Sequence, residues 1–408
     1  MAGLAAAVRL SAAGKAVAIH EASLQAGGRC RSYYDHATDM LIDNGTHVVL
    51  SGNHAARAFA EVIGSASALN APSEAEFPFV DLATGARWAL RFNDGRLPWW
   101  VLDSTRRVPD TKIVDYLPLA KLAVCTADKP IGAIMPCEGP IYDRLLAPLL
   151  IAVLNIEPRE GSGKLASAVI RETLALGGKA CRPMLSPGGI GNVFVEPALN
   201  YLRDNGASLA LQDELVTLHM SGDRITALEF ADRTNSLSPD DTVILAVPPQ
   251  AAAKLVPDLP VPTEFRGIVN AHFCVDPIGD MPPMLGVIGG TSQWVFSAAG
   301  RVSVTVSDAE ALFDVPREDL ARTIWREVAT ISGLPEALPP WQVVRERRAT
   351  FAATPEQNSL RPHAETAWRN LFLAGDWTAT GLPATLEGAI RSGNRAADLA
   401  QTRVRAAA

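Results

Sequence analysis

Runs of apolar residues mark secondary-structure elements at both ends of the chain. The first thirteen residues are rich in alanine and precede Gly14, which predicts a helix that ends with glycine at its C′ position. A short strand is predicted next, from Ala16 to the acidic Glu21. Near the other end, the apolar run at 370–374 predicts a buried strand, and a helix with small residues on one face is predicted from Leu386 onward.

The middle of the chain predicts further strands. Residues 209–230 alternate apolar and polar positions, as strands do, with a turn predicted at 221–223. Residues 240–257 then combine a buried strand with a turn that prolines terminate. Because 408 residues exceed what one ordinary core needs, we expect two domains of α/β character.

The N-terminal helix and strand match the second half of a Rossmann βαβ unit. In that unit an acidic residue at the end of the second strand accepts hydrogen bonds from a ribose, and Glu21 stands eighteen positions after Gly3. Gly3 takes the place of the third glycine of G-x-G-x-x-G, so we expect the first strand and the first two glycines to be encoded upstream of Met1. Taken alone, the segment fits an ordinary helix–strand pair with an exposed Glu21 equally well.

Composition argues against several classes of protein. Apolar residues make up 48% and charged residues 20%, so a largely disordered chain is excluded. The net charge of −7 and the lack of a basic tract argue against a nucleic-acid partner. The five cysteines are widely spaced without C-x-x-C, and the histidines show no H-x-x-x-H, so we expect no disulfide framework, no metal site and a reducing cytoplasmic compartment. The longest apolar run, 145–156, is too short to span a bilayer, and no signal peptide is expected.

Two short blocks near the N-terminus are suited to contact a ligand. The sequence Gly-Gly-Arg at 27–29 lets the backbone approach a ligand closely and offers an arginine to a phosphate. The block IDNGTHVVLSGN follows it and contains Asn44, Gly45 and His47. As bare patterns both blocks are weak, and the alternative for Asn44 and His47 is an ordinary polar turn.

The C-terminal block GDWTATGLPATLEGAIRSG carries the strongest pattern. Gly375 and Asp376 follow the predicted buried strand, where a carboxylate can accept hydrogen bonds from ribityl hydroxyls. A turn ending at Thr385 leads into the helix that begins at Leu386. The N-terminus of such a helix points free amides and the positive end of its dipole at whatever lies in front of it.

Together these blocks resemble the squalene-associated FAD-dependent desaturase family, whose members are hydroxysqualene dehydroxylases, within the flavin amine-oxidase and phytoene-desaturase superfamily. The resemblance runs from Gly3 to the last helix and includes GGRCRSYYD, DNGTHVVLSGN, WALRFNDGRLPWW, RATFAATP and GDWTATGLPATLEGA. It implies that FAD is the cofactor. The FAD-contacting residues that it implies are Gly3, Glu21, Gly28, Arg29, Asn44, Gly45, Val216, Gly375, Asp376, Thr385 and Leu386.

The resemblance also implies a domain organisation. A Rossmann-like FAD-binding domain, with its first strand truncated, is expected from residues 1–50, 185–255 and 340–408. An inserted α+β substrate-binding domain is expected from residues 51–184 and 256–339.

The substrate domain carries many apolar side chains. The aromatic residues between Phe77 and Trp100 and the aliphatic run 145–156 are numerous enough to line a tunnel for a polyisoprene. Alternatively, they fill the core of this domain. The cluster at 98–100 also suits a membrane surface. The expected partners are therefore a large apolar isoprenoid substrate, the inner membrane as a peripheral contact, and synthases of the squalene pathway.

The reaction that the resemblance implies is the reduction of hydroxysqualene to squalene in squalene and hopanoid biosynthesis, with reduced FAD as the hydride donor. An allylic hydroxyl leaves as water once it is protonated, so an acid is needed. The candidate acids are His47, Tyr142, Glu387 and Asp43, or a bound water. Three alternatives stay open: a polyene desaturase, an amine oxidase whose aromatic cage and lysine the sequence does not locate, and a non-catalytic isoprenoid-binding protein without FAD.

Overall fold

The computed structural model describes residues 1–275, 281–298 and 300–407. The helices are α1 (Ala2–Ala12), α2 (His54–Val62), α3 (Leu117–Ala123), α4 (Ala147–Leu154), α5 (Gly163–Glu172), α6 (Gly191–Phe194), α7 (Glu196–Asp204), α8 (Pro249–Leu255), α9 (Arg317–Ser332), α10 (Pro355–Ser359) and α11 (Leu386–Ala407). The strands are β1 (Ala18–Glu21), β2 (Ser32–Asp35), β3 (Met40–Asp43), β4 (Val49–Leu50), β5 (Ala75–Asp81), β6 (Arg87–Phe92), β7 (Pro183–Met184), β8 (Ser208–Leu211), β9 (Leu215–Ser221), β10 (Arg224–Phe230), β11 (Thr234–Ser236), β12 (Val243–Leu245), β13 (Phe265–Cys274), β14 (Met284–Ile288), β15 (Trp294–Ala298), β16 (Arg301–Ser307), β17 (Trp341–Phe351) and β18 (Leu371–Leu373).

The largest sheet has seven strands in the order β17-β13-β16-β15-β14-β5-β6. Its pairs are antiparallel except that β14 runs parallel to β5. On β13, Val269, Ala271 and Phe273 point into a core that α9 closes. Asn270 and His272 lie on the opposite face and are also buried. Buried polar side chains need hydrogen-bond partners, and these two find them in the loop that leads into the candidate site.

Parallel strand pairs carry the N- and C-terminal segments. β1 pairs with β8, and β12 pairs with β18, as two separate two-stranded sheets among the described residues. Helix α1 packs against α11 so closely that a Cβ at Gly393 would lie 2.1 Å from the carbonyl oxygen of Ala2. This close approach requires glycine, and it fixes the start of the chain to the last helix.

The local predictions for these segments are confirmed. Helix α1 ends before Gly14, whose φ of 72° is left-handed. Strand β1 ends at Glu21, and β9 and β10 form the predicted hairpin, with Ser221 opposite Arg224. The buried strand β18 and the helix from Leu386 follow as predicted. The α/β fold class is confirmed.

The large sheet crosses one of the predicted domain boundaries. Strand β17, at 341–351, hydrogen-bonds to β13 along its length and so belongs to the seven-stranded sheet, although residues from 340 onward were assigned to the FAD-binding segments. The short strands β4 and β7 likewise pair residues 49–50 with residues 183–184. Sheet pairing between distant segments is a tertiary property that local sequence patterns do not encode.

Apolar side chains of the middle segment form one continuous core. Phe77, Phe92 and Trp100 are buried there, with ring centroids of Phe92 and Trp100 4.8 Å apart. The run 145–156 forms most of α4, with Pro148 in its first turn, where no amide is needed. These side chains therefore fill a core. Among the described residues, no helix is long and apolar enough to cross a membrane.

Candidate active site

The glycine turn at 27–28 presents its backbone to open space. Gly27 and Gly28 have φ of 102° and 58°, both left-handed. A Cβ at Gly27 would lie 2.8 Å from the Cγ2 of Val195, so a side chain is excluded there. In front of Gly28, by contrast, no atom lies within 4 Å of the Cβ position. A ligand can therefore approach this backbone closely.

Arg29 and Asp376, which the sequence assigned to different parts of FAD, lie against each other. The Nη2 of Arg29 donates to both carboxylate oxygens of Asp376, at 2.7 and 2.8 Å, and its Nη1 donates to the carbonyl of Ala349. The carboxylate is buried, whereas the arginine side chain is 42% exposed. The pair thus joins the glycine turn to the end of β18, with the cation facing outward.

The turn after β18 is held from two sides. The amide of Gly375 donates to the Oγ of Ser392 on α11, at 2.8 Å. On the other side lies Arg361, a buried cation that no sequence pattern had singled out. Its Nη2 donates to the carbonyl oxygen of Asp376 at 3.0 Å and to the Oγ1 of Thr380 at 2.9 Å, while burial lowers its pKa to about 10. Arg361 therefore holds this turn in shape.

Thr385 caps helix α11. Its Oγ1 accepts the amide of Gly388 at 3.1 Å, and its carbonyl accepts the amide of Ala389 at 2.9 Å. Leu386 is the first residue of the helix and packs against a cluster of buried residues from α1, α2 and α7. The cap fixes where the positive end of a 22-residue helix lies, as the sequence pattern required.

Glu387, a candidate acid, lies between helices α11 and α2. Its carboxylate oxygens accept the amides of Ala55 and Ala56, at 3.0 and 2.9 Å, at the start of α2, and also the Nε of Arg391 at 2.8 Å. The residue is 3% exposed. Three donors point at the carboxylate, which is the arrangement that an ionised carboxyl group binds. Glu387 therefore joins α11 to the N-terminus of α2. Its role as a proton donor stays a prediction, which this position disfavours.

Tyr142 is also a poor proton donor. Its hydroxyl donates to the Oε1 of Glu157 at 3.2 Å in the substrate domain. Burial, reinforced by the charge of Glu157, raises the pKa of Tyr142 above its usual value. A phenol held in this way keeps its proton, so the geometry disfavours Tyr142 as the acid.

His47 lies beside Cys30, directly after the glycine turn. The Nε2 of His47 is 3.8 Å from the Sγ of Cys30, and its Nδ1 is 2.6 Å from the carbonyl oxygen of Gly45. Burial opposes protonation of the imidazole, but the Cys30 thiolate outweighs it and raises the pKa of His47 to about 9. Burial likewise opposes ionisation of Cys30, and the imidazolium nevertheless lowers the pKa of the thiol. These opposite shifts favour the imidazolium of His47 beside the thiolate of Cys30.

The loop that holds His47 is fixed by the buried polar residues of β13. The Nε2 of His272 lies 3.1 Å from the carbonyl oxygen of Asp43, and the Nδ2 of Asn270 donates to that of Asn44 at 3.4 Å. The carboxylate of Asp43 accepts a hydrogen bond from the hydroxyl of Ser32 at 2.5 Å, and this contact helps to hold the start of the loop in place.

The sequence patterns did not single out several residues that hydrogen-bond to this loop. Asn270 and His272 stand at alternating positions of an otherwise apolar strand, and such polar interruptions are a signal that could have found them. Glu346, which accepts the Nδ2 of Asn44 at 3.2 Å, gives no comparable signal.

The remaining predicted FAD contacts lie on the N-terminal and hairpin elements. Gly3 lies on α1, where a Cβ would be 3.1 Å from that of Ala246 after β12. Glu21 accepts the amide and hydroxyl of Ser23 at the end of β1. Val216 is 54% exposed on β9. Their roles in FAD binding stay predictions.

The residues present fit an anionic dinucleotide. Open space in front of Gly28, the outward cation of Arg29 and the capped N-terminus of α11 provide the donors that phosphates and an electron-rich ring edge require. Among the described residues, no group of three or more His, Cys, Asp or Glu side chains is placed to hold a metal ion.

Comparison with known proteins identifies relatives along the whole chain. Residues 1–400 match the family described as flavin containing amine oxidoreductase. A hydroxysqualene dehydroxylase from Rhodopseudomonas palustris is 56% identical, with 97% of this chain and 95% of the relative covered. One from Zymomonas mobilis is 46% identical, with 98% and 97% covered.

Solved structures show the same fold. An oxidoreductase from Methanosarcina mazei is similar with a TM-score of 0.71 at 14% identity, with 98% of each chain covered. Putrescine oxidase bound to putrescine is similar with a TM-score of 0.69 at 17% identity, with 97% of this chain and 96% of that chain covered.

Proposed function

Because the chain belongs to the flavin-containing amine oxidoreductase family and, within it, to the hydroxysqualene dehydroxylases, we propose that it reduces hydroxysqualene to squalene. It is an FAD-dependent oxidoreductase. The observation that carries the substrate is identity of 56% over nearly the full length of a hydroxysqualene dehydroxylase. The balanced reaction consumes hydroxysqualene and reduced FAD and yields squalene, oxidised FAD and water.

The described residues divide the task of holding FAD. The Gly28 backbone and Arg29 would hold phosphate, and Asp376 would accept ribityl hydroxyls while it also holds Arg29. The N-terminus of α11, capped by Thr385, would face the ring edge that gains negative charge on reduction. Reduced FAD, when bound, supplies the hydride.

The hydroxyl needs a proton to leave as water. Of the predicted acids, Glu387 is occupied by three donors and Tyr142 is a weaker acid than usual. The raised pKa of His47 favours its protonated form, and the residue lies on the loop next to Asn44 and Gly45, which are expected at FAD. We therefore assign the proton to the Nε2 of His47, which Cys30 keeps charged.

The test is a single-turnover reaction under anaerobic conditions. Photoreduced enzyme is mixed with hydroxysqualene, and the lipid extract is analysed by mass spectrometry while flavin absorbance is followed. Squalene should form in step with flavin reoxidation, and deuterium placed on reduced flavin should appear at the former carbinol carbon. If reduced flavin persists while oxidised flavin bleaches on adding squalene or phytoene, the enzyme is a desaturase instead.

The non-catalytic alternative has a separate test. A purified chain that shows no flavin absorbance and does not gain any on adding FAD would be an isoprenoid-binding protein. A contact with squalene-pathway synthases stays a prediction, to be checked by co-purification. We also propose that the enzyme works at the inner surface of the membrane, where its apolar substrate dissolves.

A further inference from the structure

One segment of the substrate domain concentrates exposed apolar side chains. Half of the fourteen large apolar residues that are exposed in the described chain lie between positions 97 and 124, each 51–75% exposed. We call them the apolar face: Leu97, Trp99, Leu102, Ile113, Val114, Leu117 and Val124. Monomeric soluble proteins rarely expose large contiguous apolar patches, so this concentration indicates a docking surface.

The apolar face belongs to a folded substructure. It spans two short 3-10 helices, Trp99–Leu102 and Ile113–Tyr116, and helix α3. Between its exposed members the same segment buries Trp100 and Tyr116, whose ring centroids are 5.2 Å apart. The Tyr116 hydroxyl also accepts the amide of Val108 at 2.9 Å. Because the inner side chains are fixed in the core, the outer ones are presented on a firm support.

Charges around the apolar face are biased toward cations. Residues 96–124 contain five basic and three acidic residues, a net charge of +2 in a chain of net −7. Two of the acids are paired, Asp103 with Arg106 at 3.8 Å and Asp110 with Arg144 at 3.6 Å.

The third acidic residue, Asp115, accepts a hydrogen bond from the backbone amide of Lys112 at 2.7 Å. In the part of the chain that the structure describes, Arg96, Lys112 and Lys121 are exposed and form no ion pair. An apolar face bordered by unpaired cations fits an anionic lipid surface.

We propose that the apolar face docks this enzyme on the surface of an anionic phospholipid bilayer. The choice of lipid rests in part on the proposed function, because hydroxysqualene and squalene dissolve in membranes. The face also backs directly onto the core of Phe92, Trp100 and Tyr116, so docking would place the substrate domain against the lipid. Binding of a second copy of the chain is the competing outcome, and the experiment distinguishes it.

The test is co-sedimentation of the full-length, FAD-loaded protein with vesicles. Vesicles of phosphatidylcholine alone and vesicles that also contain phosphatidylglycerol are compared. We expect binding to the anionic vesicles, weakened by salt. The variant with Trp99→Ser and Leu117→Ser should bind about ten-fold or more weakly. Lys112→Gln and Lys121→Gln should each reduce binding about five-fold.

Controls separate docking from folding and from chemistry. The matched variant with Leu24→Ser and Val62→Ser removes exposed apolar side chains elsewhere and should bind vesicles as the unaltered protein does. Turnover of detergent-dispersed hydroxysqualene should be unchanged in the Trp99/Leu117 variant, so a failure of the proposed reaction is seen separately from a failure of docking. Equal vesicle binding by that variant overturns the proposal. So does a dimer in sedimentation that this variant dissociates, without vesicle binding.

Discussion

Replacing Glu387 by alanine distinguishes a structural carboxylate from a catalytic one. The substitution leaves the amides of Ala55 and Ala56 without their acceptor at the start of α2, and removes one partner of Arg391. Removing one partner of a buried, hydrogen-bonded charge pair costs about 3–5 kcal/mol. Arg391 keeps Glu172 at 2.6 Å, so we expect the lower part of that range. In a chain of this length the loss corresponds to a fall in Tm of about 3–5 °C.

The assay pairs thermal unfolding with single-turnover reduction, both on FAD-loaded protein. Glu172→Ala is the matched control, because it removes the other, 40% exposed carboxylate partner of Arg391 and should cost about 1 kcal/mol or less. Folded Glu387→Ala protein should still turn over, since no proton is lost with that side chain. A variant of unchanged Tm whose turnover falls about 100-fold or more would refute the structural assignment and restore Glu387 as the acid.

Three further predictions concern FAD binding and pH. Asp376→Ala should weaken FAD binding about ten-fold or more, because a charge-assisted hydrogen bond is lost. Arg29→Ala should weaken FAD binding less in the Asp376→Ala background than it does alone, since the two side chains contact each other. A fluorescence titration in which Asp376→Ala leaves the FAD affinity unchanged would remove Asp376 from the site. Burial, together with the charge of Arg301, lowers the pKa of His272 to about 4, so below pH 6.5 the unfolded chain binds a proton that the folded chain refuses. Tm should therefore fall as pH drops from 6.5 toward 4, and His272→Gln should flatten that fall. Cys30→Ser should lower the pKa of His47 from about 9, so that turnover, which needs protonated His47, is lost at a lower pH on the alkaline side of its profile.

Local patterns predicted most elements of the FAD-binding segments. Helix α1 ends at a left-handed glycine, and β18 is a fully buried apolar strand, so periodicity and turn chemistry alone select both. The position of β17 in the large sheet could not be predicted from local sequence patterns. Its sequence at 341–351 has apolar residues on both sides of the charged run 345–348, and only its pairing with β13 shows that it completes the large sheet.

The candidate site divides in the same way. Gly28 adopts a left-handed conformation and Thr385 caps a helix. Both roles follow from the residue type and its neighbours in the chain, so the sequence predicts these positions. Glu387 was a candidate acid as a carboxyl group near the start of the last helix. The amides of Ala55 and Ala56 that it accepts lie more than 300 positions away in the chain, so the sequence does not reveal this contact. Arg361 was missed for the same reason, since its partners lie on a turn that folds back onto it.

The pairing of Arg29 with Asp376 bears on how the site can favour an anionic cofactor without a large excess of positive charge. Three of the five N–H groups of Arg29 serve Ala349 and Asp376, which leaves two for a phosphate. The carboxylate removes the rotamer freedom of the arginine in advance, so less entropy is lost when an anion binds. It also offsets part of the attraction to phosphate. The arginine side chain is 42% exposed and lies next to the open backbone of Gly28, so a ligand bound there can reach its remaining N–H groups. Asp376 can therefore contribute to FAD binding twice, by its own hydrogen bonds and by the orientation of Arg29.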